Sequence, residues 1–418
     1  MQIAFSQGRW WIVCIALSAG AAEQPTKPPQ NQLWIDVSTS ASNMPGMPSG
    51  MGGGMLGGLF GGKGGGNTFG KTRMSMGAGQ WVDVTLLSRT NPGLQEATQL
   101  VPEGSKLAPS LKLVSPEGQV VPLPPPQKST KEEETEPAPE VHKPKGKMYL
   151  YWGCGAEVRR GQPRVLDMAT AQPDDFAKFF ESRRATSKGT HSTPGQPIWP
   201  NKQDNRPVPD GASLVGEHTV TGDGLPAGFK FSIDEAHDIM APIALTQHDD
   251  GNATVTEWQA IPNARAYFLA SMGPRGEGET VVWTSSELPD MGFGLLDYQP
   301  NASIDRWLKE KVLLAPKVTQ CAIPKEALAK SGVLRMIAFG DELNMAYPPR
   351  PKDPKQVWEP QWAVKLRLKS VAMTMLGMPG AGKMGGEPHA GPDKDANETT
   401  EKPSAPTPLN LLKGLFGK

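Results

Sequence analysis

The sequence predicts a mainly β protein: one or two antiparallel β-sandwich domains with minor helices and long disordered segments. Three observations carry this expectation. Short apolar runs with period-two alternation recur along the chain between Gly- and Pro-bearing turns. The densest of them, Ala253–Glu287 (ATVTEWQAIPNARAYFLASMGPRGEGETVVWTSSE), reads as three strands joined by two turn-rich links. The chain also holds 47 Gly and 42 Pro against 37% hydrophobic residues, so several stretches lack the apolar surface that would offset the entropy of ordering them.

The N-terminus, MQIAFSQGRWWIVCIALSAGAAEQ, has one cation (Arg9), the apolar run Trp10 to Leu17 and small residues at Ala19-Gly20-Ala21. This is the pattern of a secretory signal peptide over 1–22. The run is shorter than the ~20 apolar residues that span a bilayer, so the mature chain is expected to carry no transmembrane segment and to be periplasmic or secreted. Basic and acidic residues balance at 43 each, leaving no basic field for nucleic acid. After cleavage the cysteines are Cys154 and Cys321. In an oxidising compartment they either pair or are buried one by one.

Residues 23–80 read as a Gly/Met-rich low-complexity segment, with Leu33 to Val37 as a short strand candidate. Trp81 to Ser88, Gln99 to Val101 and Leu111 to Val114 read as strands that open a β-rich region over 81–184. That region is interrupted at 115–146 by a Pro- and charge-rich insertion. Met148 to Trp152 resumes strand character, and Val165 to Met168 follows the turn at Gly161-Gln162-Pro163. Asp174 to Arg184 (DDFAKFFESRR) suits a short helix with acids in its first turn.

Residues 185–212 are polar and Pro-rich, with Trp199 as a lone anchor, and read as a loop or linker. A second β region is expected over 213–370. In it Ser303 caps a helix running to Val312, whose stripe is Ile304, Trp307, Leu308 and Val312. Pro324 to Lys330 suits a short second helix. Along Trp362 to Lys369, Trp362, Val364, Leu366 and Leu368 alternate with Ala363, Lys365, Arg367 and Lys369, predicting one buried and one wet face. Beyond 371 the chain returns to Met/Gly/Pro-rich sequence expected to be disordered.

Several motifs point to chemistry. Gly377-Met378-Pro379-Gly380-Ala381-Gly382-Lys383 fits GxxxxGK, but Met384 stands where Ser or Thr would hold magnesium and no helix can follow. Nucleotide binding is rejected. Met44, Met47, Met51 and Met55 recur every three or four residues, and Met373, Met375, Met378 and Met384 form a second group. Thioethers select Cu(I), so soft-metal binding is one reading and an adaptable apolar linker is the other. No other cofactor is expected. The chain has no GxSxG, HExxH or HxxxH. Cys154 between two glycines would need His191, His218, His237 or His248 as a partner to act as a nucleophile. Asp234-Glu235-Ala236-His237-Asp238 and His248-Asp249-Asp250 are acid–histidine clusters suited to cation binding or to solvated turns.

The order strand, Trp258, Pro-Asn-Ala-Arg-Ala turn, then Tyr267-Phe268-Leu269 resembles strands B and C of fibronectin type III-like modules, over about 245–290. The resemblance implies a Trp buried against a facing sheet and an aromatic early in the next strand. Glu257 interrupts the expected alternation of Val255 and Trp258, and a β-bulge there would return Trp258 to the core. Trp258, Tyr267 and Trp283 are then expected on adjacent antiparallel strands sharing a core. YWGCG followed by RGQPR resembles exported proteins of Gram-negative bacteria, which implies export and no particular activity. The function expected is non-enzymatic binding or scaffolding in the cell envelope, toward an envelope protein or a cell-wall component. Cu(I) carriage and an envelope hydrolase are the rivals, and no catalytic residue is assigned.

Overall fold

The computed structural model describes residues 26–43, 67–74, 77–120, 146–185, 188–353 and 355–376. In chain order the strands are β1 (Asn31–Asn43), β2 (Gly79–Ser88), β3 (Glu96–Leu100), β4 (Ser110–Val114), β5 (Lys147–Trp152), β6 (Arg164–Asp167), β7 (Ile198–Trp199), β8 (Gly216–Gly222) and β9 (Lys230–Ile233). They continue as β10 (Leu245–Asp250), β11 (Ala253–Trp258), β12 (Ala264–Gly276), β13 (Glu279–Thr284), β14 (Gln320–Pro324), β15 (Gly332–Gly340), β16 (Leu343–Tyr347) and β17 (Trp362–Leu376). Among the described residues three short helices interrupt them: α1 (Lys71–Met74), α2 (Pro173–Phe179) and α3 (Asn301–Lys309). The protein is mainly β.

A parallel pair forms the spine. β1 and β17 run side by side from Asn31 opposite Trp362 to Asn43 opposite Thr374. From this pair one sheet extends both ways in the order β6-β5-β13-β12-β15-β17-β1-β2-β7-β4-β3-β8-β9, with β16 pairing the first half of β17. The β regions expected over 81–184 and 213–370 therefore contribute to one continuous sheet. Leu33 to Val37, read as a short strand, is the start of a 13-residue strand. Its second half, Ser38-Thr39-Ser40, is polar yet buried. At the far end the sheet curls back on itself, so that Phe229 beside β9 stacks on Trp362 of β17 at 5.1 Å.

The second sheet is small, in the order β10-β11-β14. Its inward residues Leu245, Trp258, Cys321 and Ile323 share one core with Tyr267, Leu269, Val281, Trp283, Leu334, Met336, Leu366 and Leu368 of the large sheet. Tyr267 and Trp283 lie on the adjacent antiparallel strands β12 and β13. Trp258 does not join them in that sheet. It comes from the facing one and meets Tyr267 edge-on at 5.6 Å. No bulge is needed at Glu257: the register of β11 runs unbroken against both neighbours, and Thr256 and Trp258 are the residues that turn inward. Thr256 takes the core position that apolar alternation would have given to Val255.

Helices cover the back of the large sheet. Ile304 and Trp307 of α3 pack with Phe268, Ile337, Phe339 and Val371. Phe179 of α2 packs with Met148, Leu150, Leu166 and Val282. α3 begins two residues before Ser303, with Pro300 preceding it, and the Asn301 side chain bonds the Glu342 backbone in both directions. The expected helix at Pro324 to Lys330 is a single 3-10 turn, Lys325–Ala327. Cys154, after β5, forms a disulfide with Cys321 on β14, and the Gly155 N–H bonds the Ala322 carbonyl beside it. The bridge ties the large sheet to the small one.

Candidate functional site

Two constellations concentrate polar chemistry, and they differ in what they present to solvent. The first lies on the back of the spine. Lys369 and Arg367, expected on a wet face, are 0% and 5% exposed. The reason is cover: segments around Thr190 and Tyr298 and the stretch 67–74 lie across this face. The Arg367 guanidinium grips Asp36 of β1 through Nε at 2.6 Å and Nη2 at 2.5 Å. The Thr190 N–H and hydroxyl donate to the same carboxylate at 3.1 and 2.6 Å. A side chain at Gly189 would collide with the Arg367 guanidinium, so only glycine lets this strap close. Lys369 reaches outward to Asp297 at 2.7 Å, and both cations lie 4.4 Å from the centre of the Tyr298 ring. Burial lowers Lys369 to about 8, with Asp297 opposing the shift. Burial also drives the Tyr298 phenol well above its ordinary value, and its hydroxyl donates to the Val37 carbonyl at 2.9 Å. Asp36, Arg367 and Lys369 are closed over by the fold, while Asp297 meets solvent at the rim.

The second constellation is open. α2 ends at Phe179, and Phe180 follows as its C-cap. Phe179 enters the core while Phe180 remains 36% exposed. Phe180 stacks on Phe176 at 6.4 Å and on Phe293 at 6.4 Å, and Phe293 is itself 42% exposed. Beside this aromatic row a groove of about 600 Å³ runs between α2 and the edge strand β6, with Val165, Leu166, Ala171 and Phe179 among its walls and Arg164, Lys178 and Asp175 among its charged lining.

A buried carboxylate fixes the row. Asp290 is 1% exposed. Its Oδ1 accepts from the Ser182 hydroxyl at 2.9 Å and the Gly292 N–H at 2.7 Å. Its Oδ2 accepts from the Arg183 N–H at 2.9 Å and Arg183 Nη1 at 3.1 Å. One carboxylate thus joins the segment after α2 to the turn that carries Phe293. That turn needs its glycines: Gly292 sits at φ +76° against the Phe268 ring, and a side chain at Gly294 would strike the Arg183 carbonyl.

The remaining sequence candidates are accounted for as follows. Cys154 is joined to Cys321 and holds no free thiol. His218 is buried between Gln99 and the Leu214 carbonyl, and burial lowers its pKa. His191 lies 2.6 Å from Gln196 Oε1. Asp234 caps the turn that carries His237, whose Nδ1 lies 2.6 Å from the Asp234 carboxylate, and this contact lowers the Asp234 pKa. Asp238 accepts from the Leu214 and Ile239 amides. His248 faces Glu257 across the strand pair, and Asp249 pairs with Lys325 at 3.0 Å. Both acid–histidine clusters thus serve turns and cross-strand pairs.

Met44, Met47, Met51 and Met55 lie outside the described residues, as do Met378, Met384 and the GxxxxGK stretch. Among the described residues no group of three or more His, Cys, Asp or Glu is placed to hold a metal ion, and no helix is long and apolar enough to cross a membrane. Comparison of the chain with protein-family models, curated proteins and solved structures found no match.

Proposed function

We propose that this is an exported protein of the cell envelope, periplasmic or secreted, that works by binding or scaffolding through the Phe176–Phe180–Phe293 row. One observation carries the reading: a buried carboxylate with four donors holds two sequence-distant segments so that two phenylalanines stay in water. Exposed aromatic surface on a rigid support is the usual make-up of a contact site. The disulfide supports export, since such bonds persist in oxidising compartments. The N-terminal pattern of one cation, an apolar run and small residues supports a cleaved signal peptide.

A fibronectin type III-like module over about 245–376 is part of this proposal. Its support is the strand distribution: β10, β11 and β14 form one sheet and face β13, β12, β15 and β17 in the other. Counting along this stretch without the β16 hairpin, the first, second and fifth strands oppose the rest, as in sandwich domains built by Greek-key connections. Modules of this kind serve binding or spacing, and the fold by itself names no ligand.

The test is site-specific photocrosslinking in the full chain, expressed with its own N-terminus. A photoreactive residue at Phe293 or Phe176 is expected to give discrete envelope adducts that one at the exposed Leu100 does not. With the probe at Phe176, Phe180→Ser with Phe293→Ser should remove the adducts while leaving the urea midpoint close to wild type. Equal labelling at all three positions would refute the contact site. Retention of residues 1–22 in the mature protein would refute export by a cleaved signal.

The soft-metal reading has one supporting observation. Because β1 and β17 are parallel and in register, Asn43 stands opposite Thr374, so the strand ends that precede Met44 and Met378 in sequence are adjacent. Met373 and Met375 sit half-buried on β17 at that end. Cu(I) titration under reducing conditions decides it. Affinity no better than that of a Gly-rich control peptide ends the idea.

A further inference from the structure

On the back of the spine, Asp36 of β1 and Asp83 of β2 stand directly opposite each other in register, and both are buried. Directly opposed like charges destabilise a strand pair, and two carboxylates in one dry site do not readily both ionise. Only Asp36 has a cation of its own, the two-pronged Arg367. Asp83 instead receives neutral donors: the Gly70 N–H, 3.1 Å from each of its oxygens, and the Thr72 hydroxyl. The two acids hold different pieces of chain, Asp36 the strap at Thr190 and Asp83 the stretch 67–74. Arg73 Nη2 links those pieces by donating to the Thr190 carbonyl at 2.6 Å.

We propose that Asp83, buried opposite Asp36, takes up a proton and forms a pH-sensitive latch, which holds the stretch 67–74 and the strap at 188–191 more firmly as the pH falls from neutral toward 5. The Arg367 guanidinium is bonded to Asp36, whereas the donors on Asp83 are neutral. The other charged or titratable groups packed around the pair are Lys71 and Arg73 on α1, His191 on the strap, Lys369 on β17, and Asp297 and Tyr298 over the seam. Lys71 lies 4.4 Å from the centre of the Trp81 ring, and His191 packs edge-on against Trp34 at 4.9 Å.

The sign follows from linkage. Burial first and Asp36 second raise Asp83 from 3.8 to about 6, against the Thr72 and Gly70 bonds that lower it. The folded state therefore binds more protons than the unfolded state between those values, and this pair's contribution to stability falls as pH rises through the window. The latch is under electrostatic load at neutral pH, and mild acidification relieves that load and tightens it.

The experiment is urea denaturation of the full chain from pH 4.5 to 7.5, for wild type, Asp83→Asn and Asp36→Asn, with hydrogen exchange of peptides covering 67–85. Asp83→Asn is expected to have the higher midpoint at pH 7.5, with the gap closing by pH 5. Exchange in wild-type 67–74, corrected for intrinsic rate, should slow by severalfold over the same range and stay flat in Asp83→Asn. Asp36→Asn, which strands Arg367, should be the less stable variant throughout. A gap between wild type and Asp83→Asn that does not change with pH would overturn the proposal. So would wild-type exchange in 67–74 that is flat or faster at pH 5, and that measurement stands even if the variants fail to fold.

Discussion

Replacing Asp290 by Asn should loosen one arm of the aromatic row and spare the other. The carboxylate divides its work by oxygen: Oδ1 serves Ser182 and Gly292, and Oδ2 serves the Arg183 amide and guanidinium. Asparagine keeps an acceptor at Oδ1 and sets an NH2 group against two Arg183 donors. Hydrogen bonds to charged groups contribute about 1.5–3 kcal/mol each. Arg183 also pairs with Glu310 at 3.3 Å, which offsets part of the loss on the guanidinium side. A local loss of about 1.5–3 kcal/mol corresponds to roughly 10- to 100-fold less protection from amide exchange. That change should appear in peptides covering 180–185, while peptides covering 291–296 stay near wild type.

Asp290→Ala removes both arms. The Gly292 and Arg183 amides are then left buried without an acceptor, and the loss should reach about 3–5 kcal/mol. Both peptides should exchange faster, and the urea midpoint should fall. Hydrogen exchange by mass spectrometry reads each arm separately. If Asp290→Asn loosens both peptides equally, the oxygens do not act independently. If neither variant changes exchange at 180–185, Asp290 does not fix the row at all.

The remaining predictions concern the closed seam and the disulfide. Asp297→Ala leaves the Lys369 ammonium buried without its carboxylate and should cost about 3 kcal/mol, whereas Lys369→Met should be neutral or stabilising by about 1–3 kcal/mol; urea denaturation that ranks them the other way contradicts the account. The value of about 8 for Lys369 lies below its ordinary 10.5, so the folded state binds fewer protons between the two and this group's contribution to stability rises with pH there. That rise should vanish in Lys369→Met. Asp36→Ala should cost about 3–5 kcal/mol, and adding Arg367→Met should recover much of it; the double-mutant cycle fails if the two losses simply add. Cys154→Ser should lower stability by about 2–5 kcal/mol, given the sequence separation of 167 between the paired cysteines, and reductant should then have no further effect on the melting temperature.

How much of this was legible in the sequence follows from what local patterns can report. β12, β13 and β15 announced themselves as near-continuous apolar runs, being buried on both faces, and the inward face of β17 was visible by alternation. β1 was visible only as far as Val37. Beyond it Ser38, Thr39 and Ser40 are buried among polar neighbours, and an alternation rule built on apolar residues has no purchase there. Arg367 and Lys369 were read as facing water for a related reason. Charge predicts solvent only when no partner arrives from elsewhere, and theirs come from Asp36, about 330 positions away, and Asp297, about 70. The segment around Thr190 looked like a linker because Gly and polar residues mark loops, yet Gly189 is there to let a guanidinium approach.

The open site left a local trace as well. Phe179 and Phe180 are consecutive at the end of a short helix, an apolar pair where the chain leaves the sheet. Gly292-Phe293-Gly294 places a second aromatic between residues suited to a close, unusual turn. Neither signal identifies the clamp, since Asp290 meets Ser182 and Arg183 across more than a hundred positions and nothing near Asp290 distinguishes it from a solvated turn acid. That asymmetry bears on function. Exposed phenylalanines alone are common on protein surfaces. Phenylalanines held by a buried, fully hydrogen-bonded carboxylate are a different matter, because burying that charge opposes folding unless each lone pair is satisfied. A chain that only needed to close its sheet could have set an apolar residue at 290 and let the Phe293 turn relax. Keeping the acid fixes the spacing between Phe180 and Phe293, which supports the proposed contact site.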